Sequence, residues 1–358
     1  MIQLRAALVF LFAAFPGAAG AAENGTVASD ARCEQHALAY DRFAERFRAD
    51  VARETAEREK KYRALAHPTA AQTREYEKAK TDRDVRKPIP AQAYDELFHG
   101  KYECRRIRYF SDGLQVVAYA LHPTAVSAKL PVVLFLRGGN RDFGRVDESL
   151  MREFLLPFLR AGYAVVAPQY RGADGGEGQD EFGGADVHDV TNLVPLLRGQ
   201  SWADADQLFV YGASRGGMES WLALRAGLPA RAAVVHAGPS DLEEERRSRP
   251  ELEKVWAELA PGYAGHEAAF VESRSAQRWA AEIHVPVLIL HGTADWRVSP
   301  QESLAMAAKL QALGREYGLV MFTGDDHGLT ANRDEALRRS IAWFAAHSGK
   351  APAAPPRR

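Results

Sequence analysis

The 358-residue sequence predicts an α/β fold, in which a mostly parallel central sheet is flanked by helices and preceded by a helical extension. Apolar segments that begin near residues 131, 163, 207, 231, 286 and 317 alternate with helical segments, and this alternation is typical of a parallel sheet. Before them, the turn Asp112-Gly113 joins two strands, at 104–110 and 114–121, into a hairpin. Together these patterns assign residues 102–347 to one α/β domain.

The N-terminus has the pattern of a signal peptide that ends at residue 22. Arg5 precedes the apolar run 6–15, Pro16-Gly17 breaks that run, and residues 20–22 are small enough for a cleavage site. The run is too short to span a bilayer. We therefore expect an exported protein, periplasmic or secreted, with no membrane span after cleavage; an uncleaved anchor is the alternative.

Export bears on the two cysteines of the chain, Cys33 and Cys104, because an oxidising compartment permits a disulfide. A bond between them would tie the N-terminal extension to the first strand of the α/β domain. Two free thiols are the alternative.

Residues 23–101 predict the helical extension. Between residues 29 and 65, an apolar stripe of Tyr40, Phe43, Phe47 and Val51 recurs at three- and four-residue steps. We expect this stripe to dock on the α/β domain, beside its first strands and away from the loops at the strand ends. A partial lid or a dimer contact are the alternatives. At the other terminus, the composition of residues 348–358 predicts a disordered tail.

A Gly-x-Ser-x-Gly pentad at 212–216 follows the apolar segment 208–211 and precedes a helical segment. This arrangement is typical of a sharp strand-to-helix elbow that holds the Ser214 hydroxyl clear of the backbone. Glycines flank the serine because side chains there would clash across the turn. Ser214 is therefore a candidate nucleophile; the alternative is an ordinary serine in a glycine-rich turn.

A serine hydroxyl is a poor nucleophile until a neighbouring base takes its proton. Asp295 and His327 follow Ser214 in the order serine, acid, histidine, and each comes just after an apolar strand. Asp325 and Asp326 are nearer to His327 in sequence, but adjacent loop residues rarely orient an imidazole toward a distant serine, so we assign the acid to Asp295. The alternatives are a turn-forming or helix-capping aspartate and a solvated loop histidine.

The combined motifs resemble the catalytic domain of the prolyl oligopeptidase family, over about residues 103–347. The resemblance implies that Ser214 is the nucleophile, His327 the general base and Asp295 the acid that orients it. The segments that carry it are 170–178, 180–186, 212–217, 291–295 and 324–328.

The sequence departs from that family in two respects. The residues before Tyr102 are too few to form the large β-propeller of the full-length peptidases. After the strand at 131–136, where family members usually have His-Gly-Gly, this chain has Arg137-Gly138-Gly139-Asn140. We infer that the oxyanion donors are the backbone N–H of Arg215 and one backbone N–H near Gly139 or Asn140; a plain turn is the alternative interpretation of the glycine pair.

The segment 240–281 interrupts the alternation of strands and helices, and in this fold such an insertion often covers the substrate pocket. Its aromatic residues Trp256 and Tyr263 are therefore candidate pocket residues, with an ordinary core position as the alternative.

No metal-ligand spacing and no phosphate loop are present, so we expect no metal and no cofactor. The formal net charge of -1 gives no general attraction to nucleic acid.

These features predict an exported serine hydrolase that cleaves a small ester or peptide through an acyl-serine intermediate. The intact Ser214, Asp295 and His327 argue against a second hypothesis, a catalytically idle scaffold that serves as a binding protein in the cell envelope. The sequence does not indicate an oligomeric state.

Overall fold

The computed structural model describes residues 22–70, 73–74, 76–77 and 87–349. The predicted signal peptide, apart from Ala22, lies outside the described residues, as does the predicted tail from residue 350 onward. Within the described part, nine strands form one sheet in the order β1-β2-β3-β5-β4-β6-β7-β8-β9. They are β1 Val27–Arg32, β2 Tyr102–Ser111, β3 Leu114–Pro123, β4 Leu130–Leu136, β5 Ala164–Pro168, β6 Ala203–Ala213, β7 Ala232–His236, β8 Val287–Gly292 and β9 Tyr317–Phe322.

The sheet is antiparallel at one end and parallel at the other. Strands β1, β2, β3 and β5 pair antiparallel in succession, whereas β5, β4, β6, β7, β8 and β9 pair parallel. The predicted hairpin and the predicted parallel strands are therefore confirmed. Because parallel strands point the same way, the loops after β6, β8 and β9 all leave from one edge of the sheet.

Helices cover both faces of this sheet. They are α1 Tyr40–Arg63, α2 Ala91–Asp95, α3 Glu148–Leu150, α4 Leu156–Arg160, α5 Val187–Thr191, α6 Leu193–Arg198, α7 Arg215–Arg225, α8 Leu242–Ser248, α9 Leu252–Leu259, α10 Glu267–Arg274, α11 Pro300–Ala312 and α12 Arg333–Ala346. One core contains side chains of α5 to α11, and the other contains side chains of α1, α2, α4 and α12. No described helix combines the length and the apolar character needed to cross a membrane.

The N-terminal extension is not helical from residue 29, as we expected, because Val27–Arg32 forms strand β1 at the edge of the sheet. All six of its side chains are exposed, so no apolar alternation in the sequence indicated a strand. Backbone pairing with β2 forms it, helped by ion pairs between Arg32 and Glu103 (2.6 Å) and between Arg105 and Asp30 (2.7 Å).

The predicted apolar stripe lies on α1, and it packs on the α/β domain. Phe43, Phe47 and Val51 are buried in the core that also contains α2, α4 and α12. The ring of Phe43 stacks on that of Tyr94, with 4.6 Å between their centroids. Burial of each such side chain contributes about 1.5–3 kcal/mol, which explains why the helix docks.

A disulfide joins the extension to the sheet. Cys33, which directly follows β1, is bonded to Cys104 of β2, 71 residues further along the chain. The pair is buried, and the backbone N–H of Cys33 also donates to the carbonyl of Cys104 (2.9 Å). The extension is thus held at its start by a covalent bond and along α1 by packing.

Candidate active site

Ser214 lies on the turn between β6 and α7, at the edge of the sheet from which the loops after parallel strands leave. Its φ of 57° and ψ of −129° place it in a region that non-glycine residues rarely adopt. Two bonds fix the turn: the Ser214 N–H donates to the carbonyl of His236 (2.8 Å), and its carbonyl accepts from Gly217 N–H (2.7 Å). This is the strand–elbow–helix geometry that the pentad predicted.

The two flanking glycines are required by close packing. A Cβ on Gly212 would lie 2.1 Å from the carbonyl oxygen of Gly216, and a Cβ on Gly216 would lie 1.9 Å from that of Leu136. Both distances are far shorter than any non-bonded carbon–oxygen contact. Glycine at 212 therefore permits the tight turn itself, and glycine at 216 permits its close approach to β4.

Ser214, His327 and Asp295 form one hydrogen-bonded chain. The Ser214 hydroxyl lies 2.9 Å from Nε2 of His327, and Nδ1 of His327 lies 2.7 Å from Oδ2 of Asp295. Since the Asp295 carboxylate can only accept, Nδ1 carries the proton and Nε2 is free to accept from the serine. Residues 113 positions apart in sequence therefore meet because the parallel strands that they follow, β6 and β9, end at the same edge of one sheet.

The Asp295 carboxyl group is held by four donors. Its Oδ1 accepts from the backbone N–H groups of Arg297 (2.8 Å) and Val298 (3.2 Å), and its Oδ2 accepts from His291 (2.9 Å) as well as from His327. Burial alone would raise the pKa of Asp295, but the hydrogen bonds from the two histidines outweigh it and hold the pKa well below its ordinary value. Asp295 is consequently ionised at neutral pH.

His291 begins the segment 291–295, and the sequence predicted no role for it. It is fully buried, with Nδ1 2.6 Å from the Ser303 hydroxyl and Nε2 close to both Asp295 and the carbonyl of Val298 (3.1 Å). It therefore connects the aspartate to helix α11. Its position at the end of β8, four residues before Asp295, was the available signal.

The competing residues point elsewhere. Both carboxylate oxygens of Asp325 accept bonds within its own loop, from the backbone of Asp326, Ala331 and Asn332 and from the Asn332 side chain. His236 is buried beneath the elbow, where burial lowers its pKa to about 3, so that it stays neutral. Asp295 and His327 are thus the acid and histidine that reach Ser214.

The candidate oxyanion donors also lie beside the nucleophile. Arg215 is the first residue of α7, so its backbone N–H has no partner within the helix. Gly138 packs against the serine, because a Cβ there would lie 3.0 Å from the Ser214 Cβ and 3.5 Å from its Oγ. Among hydrogen bonds between described residues, none uses the backbone N–H of Gly139 or Asn140, so both N–H groups are available to a ligand.

The Arg215 side chain was not assigned a role from the sequence, and it is the centre of a buried ionic cluster. Its guanidinium pairs with Asp180 (2.6 Å), Asp186 and Glu219 (3.1 Å) and donates to the carbonyl of Gly139 (3.0 Å). Burial would lower the pKa of Arg215, but the acidic neighbours outweigh it and raise the pKa. Burial and the nearby Asp186 raise the pKa of Glu219 well above its ordinary value. The cluster ties the elbow to the loop 172–186.

Trp256 and Tyr263, the candidate pocket residues, are core residues of the insertion. Trp256 is fully buried, and its ring lies 5.4 Å from that of Phe270 and 6.2 Å from that of Phe182. Tyr263 is 6% exposed and packs edge-on against Phe270. Both residues thus belong to the apolar centre of helices α8 to α10, and a role in the substrate pocket stays a prediction.

The extension reaches the acid loop, contrary to our expectation that it stays away from the loops at the strand ends. The Arg74 guanidinium lies 5.3 Å from the centre of the Trp296 ring, and Trp296 directly follows Asp295. Residues 73–74 and 76–77 are helical, and the Tyr76 ring stacks on that of Tyr62 at 4.0 Å, which links this segment to α1.

Comparison with known proteins agrees with this geometry. The model of the prolyl oligopeptidase family matches residues 151–351, and an uncharacterized peptidase of Bacillus subtilis, YtmA, is 31% identical over 239 residues, which cover 66% of this chain and 91% of that protein. The chain belongs to the prolyl oligopeptidase family. Because the family and the relatives named here are peptidases, the protein is an enzyme, a serine-type peptidase.

Other proteins that are similar to this chain are longer. Dipeptidyl-peptidase 5 of Porphyromonas gingivalis is 22% identical over 248 residues, covering 65% of this chain and 36% of that protein. A puromycin-hydrolyzing peptidase of Mycobacterium tuberculosis superposes with a TM-score of 0.62 and 27% identity over 70% of this chain and 40% of that one. This chain thus spans well under half the length of either protein.

Proposed function

We propose that this family member is an exported peptidase that cleaves short peptides through an acyl-serine formed on Ser214. The observation that carries the proposal is the unbroken hydrogen-bonded chain from the Ser214 hydroxyl through His327 to the ionised Asp295. The His327 side chain is 16% exposed, so the serine–histidine end of this hydrogen-bonded triad is open to a substrate.

In the first half of the reaction, His327 Nε2 takes the Ser214 proton while Oγ forms a bond to the substrate carbonyl carbon. The resulting oxyanion accepts hydrogen bonds from the N–H of Arg215 and from a second N–H of the 139–140 turn. As the tetrahedral intermediate collapses, the bond to the leaving amine breaks, and the amine takes the proton from His327. Asp295 stabilises the imidazolium and keeps Nδ1 protonated.

In the second half, water replaces the amine. His327 takes a proton from the water as its oxygen attacks the acyl carbon, and the proton then returns to Ser214 as the acid product leaves. In both halves, every proton and bond is accounted for by the substrate, water, Ser214 and His327.

Peptides are the preferred substrate class because relatives of this chain are named as peptidases, among them a dipeptidyl-peptidase and a puromycin-hydrolyzing peptidase. This chain spans well under half the length of those two proteins, so their particular specificities are not transferred. Esters are the second class, since an activated serine attacks both carbonyl types.

Export is part of the proposal. The signal-peptide pattern of residues 1–22 supports it, and so does the bond between Cys33 and Cys104, because disulfides persist in oxidising compartments. N-terminal sequencing of the protein from periplasmic and culture fractions tests it. A mature N-terminus near residue 23 is the expected result, and recovery of the full-length chain with the cytosol would contradict export.

A fluorophosphonate probe tests the chemistry. The parent should be labelled at Ser214, and Ser214→Ala should show neither label nor turnover while keeping the parent's melting temperature. A panel of dipeptide and prolyl amides beside p-nitrophenyl esters then ranks the two substrate classes. An unlabelled parent that binds peptides without cleaving them would instead support the idle binding scaffold.

A further inference from the structure

The loop beside the nucleophile contains a buried arginine at the position where the family usually has histidine. Arg137 directly follows β4 and is fully buried. Its guanidinium donates five hydrogen bonds: two to the carbonyl of Gln169 (3.1 and 2.6 Å) and one each to those of Gly138 (3.0 Å), Arg141 (2.6 Å) and Phe143 (3.1 Å). Every one of these acceptors is a backbone carbonyl, so this side chain shapes the loop and forms no ion pair through these bonds.

One of these bonds controls a peptide unit next to Ser214. In a trans peptide the C=O and the following N–H point in opposite directions. When Arg137 holds the Gly138 carbonyl inward, the N–H of Gly139, which belongs to the same peptide unit, must point outward from the guanidinium. That unit begins at Gly138, the residue packed against the serine side chain.

The next peptide unit is held in the same way by a second buried arginine, Arg215. Nη1 of Arg215 donates to the Gly139 carbonyl (3.0 Å), which directs the N–H of Asn140 away from it. Both guanidinium groups pack on one ring, because their central carbons lie 5.1 Å (Arg137) and 5.2 Å (Arg215) from the centre of Tyr170. The Tyr170 hydroxyl donates to the carbonyl of Arg137 itself (3.3 Å).

The charge of Arg137 adds to this geometry. Burial lowers the pKa of Arg137 to about 10, so the side chain is still protonated at neutral pH. Hydrogen bonds from a charged donor are stronger than those from a neutral one, and a bonded carbonyl polarises the N–H of its own peptide unit. The Gly139 N–H is thereby a better donor to an anion than an ordinary backbone amide.

We propose that Arg137 is a positioning residue of the oxyanion hole, which holds the Gly138–Gly139 peptide unit so that the Gly139 N–H is the second oxyanion donor beside that of Arg215. The inference rests on the proposed function. Arg137 does not touch the substrate, and it acts on the oxyanion only through the peptide unit that it holds.

The test compares Arg137→Lys, Arg137→His and Arg137→Met with the parent. Lysine keeps the charge but lacks the planar fork that reaches several carbonyls at once, and histidine restores the residue usual in the family. In all three variants we expect kcat to fall roughly tenfold to a hundredfold, while KM stays within about twofold of the parent. This loss is smaller than the roughly hundredfold to thousandfold loss that follows when an oxyanion donor is removed outright. The affinity for a peptidyl trifluoromethyl ketone should fall by the same factor as kcat/KM, since that inhibitor forms the oxyanion.

Arg274→Met is the matched control. Arg274 is another arginine bonded to backbone carbonyls, those of Phe182 (2.7 Å) and Glu181 (3.3 Å), but neither carbonyl belongs to the 138–140 turn. We expect this variant to lose melting temperature without losing affinity for the ketone. Where Arg137→Met does not fold, the lysine and histidine variants provide the same comparison.

Two outcomes overturn the inference. One is folded Arg137 variants with the parent's kcat and ketone affinity, and the other is an equal loss of ketone affinity in Arg274→Met. Failure of the proposed function is recognised separately, because in that case the parent itself neither reacts with the fluorophosphonate nor binds the ketone.

Discussion

The catalytic edge of the sheet and the N-terminal extension are held in place in different ways. Ser214, Asp295 and His327 each lie within a few residues of the end of a parallel strand, and backbone pairing between those strands sets the distances among them. The extension has one edge strand with exposed side chains, and otherwise relies on a disulfide and on side-chain packing. Substitutions should therefore separate the two regions: changes at the edge alter chemistry, and changes in the extension alter stability.

The largest effect should come from the histidine and its acid. His327→Ala removes the base and should abolish measurable turnover, whereas Asp295→Asn should cost about 10⁴-fold in kcat by favouring the wrong imidazole tautomer. Asp325→Asn is the matched control, since the bonds of its carboxylate to described residues all lie within its own loop, and it should keep kcat within a few-fold of the parent. These losses are measured at unchanged melting temperature. An equal loss in the Asp325 and Asp295 variants would move the acid to Asp325.

Removal of the disulfide should lower stability and leave catalysis unchanged, which is the opposite of the triad substitutions. Replacing both Cys33 and Cys104 by serine removes a bridge across 71 residues, which the chain-entropy model values at roughly 4 kcal/mol of unfolding free energy. Denaturant unfolding should show this loss, while kcat of the folded enzyme stays near that of the parent. A large fall in kcat at full folding would show that the bridge also positions the catalytic edge.

A pair of buried carboxyl groups, Glu302 and Glu245, makes the stability of the folded protein sensitive to pH. Glu302 of α11 accepts from the N–H groups of Ser240 (2.6 Å) and Asp241 (2.8 Å) and lies against Glu245 of α8. Burial raises the pKa of Glu302 to about 7, and burial together with the Glu302 carboxyl raises that of Glu245 well above its ordinary value.

Because these folded-state pKa values are raised above the unfolded value of roughly 4.3, the pair stabilises the fold fully below that pH. Its contribution is lost as pH rises through about 7. We expect the parent's melting temperature to decline from weakly acidic to weakly alkaline pH, and Glu302→Gln, whose amide oxygen can accept the same two N–H groups, to flatten that decline. Parallel curves for the two proteins would exclude the pair as the cause.

The smallest effect concerns the one described contact between the extension and the acid loop. Arg74→Ala removes the cation from the Trp296 ring, a contact worth about 0.5–1 kcal/mol at an exposed site. Arg42→Ala, an exposed arginine on α1 paired with Glu45, is the matched control. If the extension covers the site, only Arg74→Ala should change the ratio of kcat/KM for a bulky and a small substrate. If both variants keep the parent's ratio, the extension docks on the domain without affecting access of substrates to the site.

Local sequence patterns were sufficient to predict the parallel sheet, the elbow at Ser214 and the order of the triad. Each of these follows from local rules, because a strand period, a glycine-flanked turn and a residue just after a strand can all be recognised within a few positions. Strand β1 was missed for the same reason: its exposed side chains have no apolar alternation.

The groups that surround the triad became evident only from the folded arrangement of distant segments. Nothing in sequence spacing indicates that His291 and His327 share one oxygen of Asp295, that Arg137 holds the carbonyl of Gly138, or that Trp256 is fully buried. These relations depend on which side chains of distant segments meet once the sheet has formed and its helices have packed. Local sequence fixes where each strand ends, and packing across the fold decides what each strand end touches.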